Sequence, residues 1–327
     1  MKPSTTEIDN RRPTAQGTVF RKSLGDYDVQ ADGRTVACSL SSKLRKQLLY
    51  PTADPASIRP HVVEVKGITM VDPVAIGDVV GFVEGSPGTG MITEVLARRS
   101  KLSRRAPGSK PLEQIVVANL DQIVIVVAAA KPAPKWKLVD RHLVTAEGSG
   151  VAAIICVTKM DLAREEDLST YVRLYERIGY RVLLTCAPQR QGTDELRGLL
   201  RGRSSVLIGK SGVGKTTLLN GLQPGLGLRV QEVSAKTDKG KHTTSHLEMF
   251  SLDFGGTIVD TPGMREFGLW NVQPAQLPML FPEMRPHLGQ CRFAGCTHTH
   301  EPDCAIKQAV SAGKISDHRY QSFRHMR

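Results

Sequence analysis

The sequence predicts a multidomain protein with an N-terminal OB-like β-barrel, a central α/β domain and a C-terminal α-helical domain. Three observations indicate this division. Short β-forming segments fill residues 17–112, strand-like and helix-length segments alternate over 113–277, and Cys and His residues cluster within 278–327. A chain of 327 residues is long enough for two or three average domains. Residues 1–16 are polar, and we expect them to be disordered.

Residues 17–112 are predicted to form the barrel because their β-forming residues are grouped between Gly and Asp breakers. The short strands suit a small barrel, with the OB fold as one option, and they are GTVFRK, YDVQA, RTVACSL, VVEVKGITMV and GDVVGFVEG. The stretch 97–110 then holds six Lys or Arg residues and no acid. We interpret it either as a solvated linker or as a surface that contacts phosphates.

The pattern changes at Gln114, which predicts the α/β domain. Helix-length segments separate the strands QIVVANL, QIVIVVAAA, AAIICVT, RVLLTCA, SSVLIG and GTIVDT. This alternation is typical of a largely parallel sheet. The longest unbroken apolar run covers 123–130 and is far shorter than the ~20 residues that a membrane span needs. It therefore predicts a buried strand, and we expect no membrane partner.

Composition favours a cytoplasmic protein with a polyanionic partner. The formal net charge is +12, so nucleic acid is the first candidate, against the alternative of a soluble protein that happens to be basic. The N-terminal segment lacks the apolar core of a secretory signal. Cys38, Cys156 and Cys186 are scattered among apolar residues, and we expect them to be buried.

A phosphate-binding loop is predicted where the pattern G-x-x-x-x-G-K-T lies between a strand and a helix. Its glycines allow backbone N–H groups to wrap phosphate oxygens, and the helix that starts near Lys215 adds its positive end. Lys215, which we also count as catalytic, is expected to reach the β- and γ-phosphates, and Thr216 to bind Mg²⁺. The residues predicted to contact the nucleotide here are Gly209, Lys210, Ser211, Gly212, Val213, Gly214, Lys215, Thr216 and Thr217.

Two downstream segments are predicted to complete the phosphate and magnesium site. Asp260 ends a strand and can hold Mg²⁺ through water, while the N–H of Gly263 can meet the γ-phosphate. The polar segment 236–246 contains Thr243 and Thr244. Either threonine can complete the Mg²⁺ shell when a γ-phosphate is present and so form a switch. The alternative is a mobile polar loop.

A guanine site is predicted from two strand ends that precede the phosphate loop in the chain. Asp161 can accept both the N1–H and the N2–H₂ of guanine, a pair of donors that adenine does not offer, and the stem of Lys159 can lie over the base. A backbone N–H after the next strand can contact the guanine carbonyl oxygen. The residues of this site are Thr158, Lys159, Met160, Asp161, Cys186 and Ala187. Because base motifs precede phosphate motifs, we predict a circularly permuted P-loop GTPase domain that binds GTP and GDP.

A metal site is predicted near the C-terminus. Cys291, Cys296 and Cys304, together with one imidazole, would close a tetrahedral Zn²⁺ site with no open position, so the zinc would be structural. A short zinc-binding α-helical domain with little core of its own benefits from such a link. His298 and His300 are both candidates for the imidazole, and spacing alone does not choose between them.

The motifs TKMD, GKSGVGKTT, KGKHTT, DTPGMREFGLW and CRFAGCTHTHEPDC, in this order, resemble the small ribosomal subunit biogenesis GTPases, also called ribosome small subunit-dependent GTPase A. The resemblance covers nearly the whole chain. It implies an OB-fold domain, a permuted GTPase domain and a zinc domain in which His298 is the ligand. It also implies binding to the 30S ribosomal subunit and its 16S rRNA, a role in late subunit maturation, and GTPase activity stimulated by the subunit. We expect a monomer.

The group that orients the attacking water is predicted to be His242. Many GTPases place Gln just after the Asp-x-x-Gly motif, whereas this chain has Met264, which cannot donate a hydrogen bond to water. His242 directly precedes the switch threonines, and the resemblance implies that it is catalytic; the alternative is a solvent-exposed loop histidine.

The chain also has Thr158 where the general GTPase motif has Asn, a departure that the family tolerates. Two rival functions are an RNA-binding factor in which GTP only gates binding, and an ATP-dependent P-loop enzyme, against which Asp161 argues.

Overall fold

The structure is a computed structural model that describes residues 15–23, 25–47, 51–53, 60–62, 71–106, 112–224, 226, 248–260 and 272–327. Three structural parts follow one another along the described chain: a β-barrel, an α/β sheet and a C-terminal helical unit. This confirms the fold class predicted from the sequence. Among the described residues, no helix combines the length and the apolarity that a bilayer span requires.

Five of the first seven strands form a closed barrel. The strands are β1 (Ala15–Ser23), β2 (Asp26–Ala31), β3 (Arg34–Leu40), β4 (Pro51–Ala53), β5 (Pro60–Val62), β6 (Val79–Glu84) and β7 (Thr89–Val95), with helix α1 (Ser42–Arg45) after β3. They pair in the order β1-β2-β3-β7-β6, and β6 pairs back with β1. Only β3 and β7 are parallel within this ring. Alternate residues such as Val29, Phe82 and Ile92 fill the barrel interior.

A hairpin of β8 (Lys101–Arg105) and β9 (Glu113–Ala118) follows the barrel. The sequence assigned the segment of β9 to the parallel sheet, but the structure pairs it with β8 instead. Lys101 Nζ lies 2.7 Å from Glu113 Oε1, which ties the two strands together. Arg98 forms two hydrogen bonds with Asp78, each of 2.7 Å. Several cations of the basic stretch are therefore engaged within the protein.

The central sheet has six strands in the order β12-β11-β10-β13-β15-β14. These are β10 (Gln122–Ala128), β11 (Ala152–Thr158), β12 (Arg181–Leu184), β13 (Ser204–Ile208), β14 (Glu248–Ser251) and β15 (Thr257–Asp260). All are parallel except β14, which runs antiparallel to β15 and pairs with β1 of the barrel. Every residue of β10 is buried, as its apolar run predicted, because helices cover both faces of the sheet.

Four helices cover this sheet, and they are α2 (Trp136–Ser149), α3 (Glu165–Ile178), α4 (Thr193–Leu200) and α5 (Lys215–Leu222). Residues of α2 and α3 pack on one face, where Leu143 and Tyr175 are fully buried. Residues of α4 and α5 pack on the other face, where Leu196 and Leu219 are fully buried. The sheet is thus the middle layer of three.

The C-terminal unit packs against α2. It contains helices α6 (Ala305–Ser311) and α7 (Asp317–Met326), preceded by 3₁₀ turns at Leu277–Leu280 and Pro282–His287. Its core includes Phe281, Met284 and Phe323, and this core also takes in Val144 of α2. A helix of the α/β domain therefore supplies part of the apolar core of the C-terminal unit.

A buried ionic network joins α2 to α7. Arg319 donates to Asp140 Oδ1 at 2.7 Å and to Glu283 Oε1 at 2.6 Å, and both Asp140 and Arg319 are fully buried. Tyr175 and Ser322 also donate to the Asp140 carboxylate, at 2.8 and 2.5 Å. Burial alone raises the pKa of Asp140, but the contact with His318 and the charge of Arg319 outweigh burial and hold that pKa below its usual value.

We expect Arg319→Met to destabilise the protein by about 3–5 kcal/mol, because the carboxylates of Asp140 and Glu283 would stay buried without their cation. The matched control is Arg292→Met, whose ion pair with Asp303 lies on the surface and should contribute less than about 1 kcal/mol. Urea unfolding followed by tryptophan fluorescence measures both changes. Equal midpoints for the two variants would show that the network adds nothing to stability.

Candidate nucleotide and metal sites

The carboxyl ends of the parallel strands bring the predicted nucleotide residues to one edge of the sheet. Thr158 ends β11, Cys186 lies two residues beyond β12, Gly209 directly follows β13, and the backbone of Asp260 ends β15. β10 lies between the base-site strand β11 and the phosphate-loop strand β13. The two halves of the predicted site are therefore separated by one strand.

The phosphate loop has the conformation that its glycines predicted. A Cβ atom at Gly209 would lie 2.3 Å from the carbonyl oxygen of Val126, so no side chain fits there. Gly212 and Gly214 have φ angles of +81° and +96°, which favour glycine. Lys215 Nζ donates to the carbonyl oxygen of Gly209 at 2.7 Å. Helix α5 starts at Lys215 with no side-chain cap, which leaves its first N–H groups for an anion.

Two side chains of the base motif hold the phosphate loop directly. Thr158 Oγ1 donates to the carbonyl oxygen of Val213 at 2.5 Å. Lys159 Nζ donates to the carbonyl oxygens of Gly212 at 2.8 Å and Lys131 at 2.5 Å. The hydroxyl of Thr158 therefore bonds the loop from the position where the general motif has Asn. The sequence held no signal for these contacts, because the partners are 28 to 55 residues apart.

The carboxylate of Asp161 is exposed and has a sulfur partner. Cys186 Sγ donates to Asp161 Oδ1 at 3.2 Å, a contact that the sequence analysis missed because it considered only the backbone of Cys186. The N–H of Cys186 donates to the carbonyl oxygen of Gln191 at 3.0 Å. Met160 N–H donates to the carbonyl oxygen of Thr185 at 3.3 Å, which ties the two loops to each other. The N–H of Cys186 is therefore already engaged within the protein, and the contact of a backbone N–H with the guanine carbonyl oxygen stays a prediction for Ala187.

Several predicted residues lie outside the described part of the chain. They are His242, Thr243, Thr244, Gly263 and Met264, and the same holds for the side chain of Asp260. Their roles in magnesium binding, γ-phosphate contact and water positioning stay predictions.

A compact group of three thiols and one imidazole lies in the C-terminal unit. The ligand atoms of Cys291, Cys296, His298 and Cys304 all lie within 4.8 Å of one another. His298 Nδ1 is 3.5 Å from the Sγ atoms of Cys291 and Cys304, which are 3.8 Å apart. With metal–sulfur bonds of about 2.3 Å, a tetrahedral zinc site has sulfur–sulfur edges of about 3.8 Å. These four residues could therefore hold one metal ion.

The competing imidazole is outside this group. The side chain of His300 is 82% exposed and its Nδ1 lies 3.0 Å from Thr299 Oγ1. His298, in contrast, is buried, and burial lowers its pKa, which favours the neutral ring that binds metals. The backbone carbonyl oxygen of His298 accepts from Tyr320 at 2.8 Å, so the group is fixed to α7.

Comparisons with known proteins all point to one family. The family model for RsgA GTPase matches residues 95–270. A Gemmatimonas aurantiaca protein named small ribosomal subunit biogenesis GTPase RsgA is 45% identical over 76% of this chain and 82% of its own length. A Moorella thermoacetica protein of the same name is 38% identical over 94% of both chains.

Two solved structures share the fold over almost the full length. YjeQ from Thermotoga maritima aligns with a TM-score of 0.71 and 29% identity, covering 96% of this chain and 97% of its own. YloQ, described as a circularly permuted GTPase, aligns with a TM-score of 0.67 and 25% identity, covering 98% and 96% of the two chains. The order of motifs that indicated permutation thus has a structural counterpart.

We expect His298→Ala to lose the bound metal ion, because three thiolates cannot close the tetrahedral site without the imidazole. His300→Ala is the matched control and should keep one ion per chain, since its ring lies outside the ligand group. Elemental analysis of the purified variants measures metal per chain. Loss of the ion in His300→Ala with retention in His298→Ala would reverse the assignment.

Proposed function

Because the chain belongs to the RsgA GTPase family, we propose that it couples GTP hydrolysis to binding and release of the small (30S) ribosomal subunit during late maturation of that subunit. It is a GTP-hydrolysing enzyme that acts in small-subunit biogenesis. The family resemblance that the sequence motifs indicated is confirmed.

The observation that carries the proposal is the direct link between the base motif and the phosphate loop. Thr158 and Lys159 donate to the carbonyl oxygens of Val213 and Gly212, and Asp161 lies two residues after Lys159 in the same loop. A base bound at Asp161 and phosphates bound at Lys215 would therefore be held by two loops that are hydrogen-bonded to each other, which we call the nucleotide frame. Such pre-organisation favours a single nucleotide geometry and rejects bases without the guanine donors.

The proposed roles follow the sequence analysis. Lys215 neutralises the β- and γ-phosphates, and Thr216 binds the Mg²⁺ that accompanies GTP. Asp260 and one of the switch threonines would complete the Mg²⁺ shell, with the N–H of Gly263 on the γ-phosphate. A bound Mg²⁺ would neutralise negative charge on the phosphates, while the phosphate loop would position them. His242 would orient the attacking water.

Zinc is the metal that we assign to the thiolate cluster, with a structural role. Three thiolates and one imidazole are a preferred zinc ligand set and leave no open position for catalysis. Cys304 directly precedes helix α6, and the core of the unit includes both Phe281 and Phe323. Zinc would therefore fix the segment 291–304 to a small helical core.

We assign 16S rRNA as the component of the subunit that the protein contacts. The formal net charge of +12 favours a polyanionic surface. The proposed site of action is the cytoplasm, where ribosomal subunits mature, and the proposed form is a monomer.

We expect Asp161→Asn to lose the preference for GTP and to gain affinity for XTP. The carboxylate accepts two hydrogen bonds from guanine, whereas an amide offers one acceptor and one donor group. Asp167→Asn, an exposed position on α3, is the matched control and should keep the preference for GTP. The preference of each variant is measured by the competition of GTP and of XTP with a fluorescent GTP analogue for the binding site. Asp161 is not the base reader if GTP still outcompetes XTP in its variant.

We expect His242→Ala to lower subunit-stimulated kcat by about 10²-fold or more, the usual scale for a group that positions or deprotonates water. Affinity for GTP should hardly change, and the variant should still co-sediment with small subunits in a non-hydrolysable GTP analogue. His287→Ala is the control histidine and should keep full activity. If the wild-type protein does not co-sediment with small subunits, the proposed partner is wrong. If His242→Ala has the kcat of the wild-type protein, His242 is not the catalytic residue.

A further inference from the structure

A basic groove lies beside the phosphate loop, on the side of α2 and α7. It has a volume of about 860 Å³ and is lined by residues from four parts of the chain: the start of α2, Tyr171 of α3, the phosphate loop and α7. Lys135 and Lys137 come from the start of α2, Lys210 from the phosphate loop, and His318 and His325 from α7. The groove therefore connects the nucleotide site with the C-terminal unit.

The charged side chains that line the groove are basic, and they lie among apolar and aromatic residues such as Trp136 and Tyr171. No Asp or Glu side chain of the described residues lines it, whereas Lys135, Lys137, Arg141 and Lys210 do. The three lysines are exposed, and none of them forms an ion pair with a carboxylate in the part of the chain that the structure describes. This contrasts with Arg98, Arg99 and Lys101 of the basic stretch, whose charges carboxylates already neutralise. The groove thus has unneutralised positive charge.

Lys135 and Lys137 lie at the start of α2, where positive charge is unfavourable. Lys135 is the N-cap of α2 and Lys137 lies in its first turn, and no acidic residue is present in that turn. Positive side chains at a helix N-terminus are unfavourable, on the order of 0.3–1 kcal/mol each, because the helix dipole is positive there. Helix stability does not explain these residues, whereas an anionic ligand does.

A buried polar atom beneath the groove has no partner among the described residues. The ring of His142 is 4% exposed, and its Nδ1 accepts and donates no hydrogen bond there. It lines a cavity of about 20 Å³, which is large enough for one water and shares Lys135 and Lys210 with the groove. His142 lines this cavity and not the groove itself, so one water in the cavity would satisfy the atom.

We propose that the groove binds the sugar–phosphate backbone of RNA, and that RNA bound there acts on the phosphate loop through Lys210 and Ser211. The choice of RNA rests on the proposed function, since the small subunit presents its phosphates along RNA strands. The groove is long enough to reach both Lys210 and α7, so one strand would contact the nucleotide loop and the C-terminal unit together. This gives a physical route by which the subunit changes the rate of GTP hydrolysis.

The test compares two charge-neutralising double variants of the full-length protein. Lys135→Gln with Lys137→Gln removes two cations of the groove, and Arg201→Gln with Lys314→Gln removes two exposed cations that do not line it. Binding to purified small ribosomal subunits is measured between about 50 and 200 mM salt. The groove variant should bind about 10-fold more weakly, and the slope of log K against log salt should fall by about 1 to 2. The control variant and the affinity for GTP should stay within about twofold of wild type.

The same variants are titrated with a short single-stranded RNA oligonucleotide, which separates this inference from the proposed function. If the groove variant binds the subunit with the affinity and the salt slope of the wild-type protein, the inference is wrong. The proposed function would be unaffected by that result. Failure of the wild-type protein to bind subunits would contradict the proposed function. In that case, RNA binding in the groove would be supported only if the groove variant binds the oligonucleotide more weakly than the control variant does. If wild type binds neither probe, or both variants bind the oligonucleotide equally, the inference is wrong.

Discussion

The structure depends on one geometric constraint: parallel strands present all their carboxyl ends at the same edge of a sheet. Four of the predicted nucleotide motifs lie at or just beyond such a strand end, at Thr158, Cys186, Gly209 and Asp260, whether the strand comes early or late in the chain. Circular permutation is tolerated for this reason, since it changes where the chain begins but not which strands are neighbours. The hydrogen bonds from Thr158 and Lys159 to the phosphate loop then convert neighbouring loops into one frame.

Helix α2 connects the hydrogen-bonded loops of the nucleotide site to the C-terminal unit. Just ahead of it, the carbonyl oxygen of Lys131 accepts from Lys159, and within it Asp140 accepts from Arg319 of α7. A fully buried ion pair holds two elements in one arrangement because any separation would leave a charge without a partner in a dry environment. The groove next to the phosphate loop uses the same two helices, so a ligand in the groove would touch both ends of this connection.

Much of the fold and the core of the site could be predicted because the signals are local. The spacing of Gly209, Gly214 and Lys215 determines a phosphate loop within eight residues, and the cysteine spacing likewise confines a metal site to a short segment. Local pattern did not choose between His298 and His300; burial does, since only the first ring points into the thiol group. The pairing of β9 with β8 was missed because an apolar strand fits a hairpin and a parallel sheet equally well. Asp140 and Arg319 are 179 residues apart, so no sequence window contains both.

We expect the nucleotide site and the C-terminal unit to respond together to the small ribosomal subunit. The most direct measurement is the steady-state rate of GTP hydrolysis by the wild-type protein, alone and with added small ribosomal subunits, with large subunits as the control. We expect a low rate for the protein alone and a clear rise with small subunits only. An unchanged rate with small subunits, or an equal rise with large subunits, would contradict it.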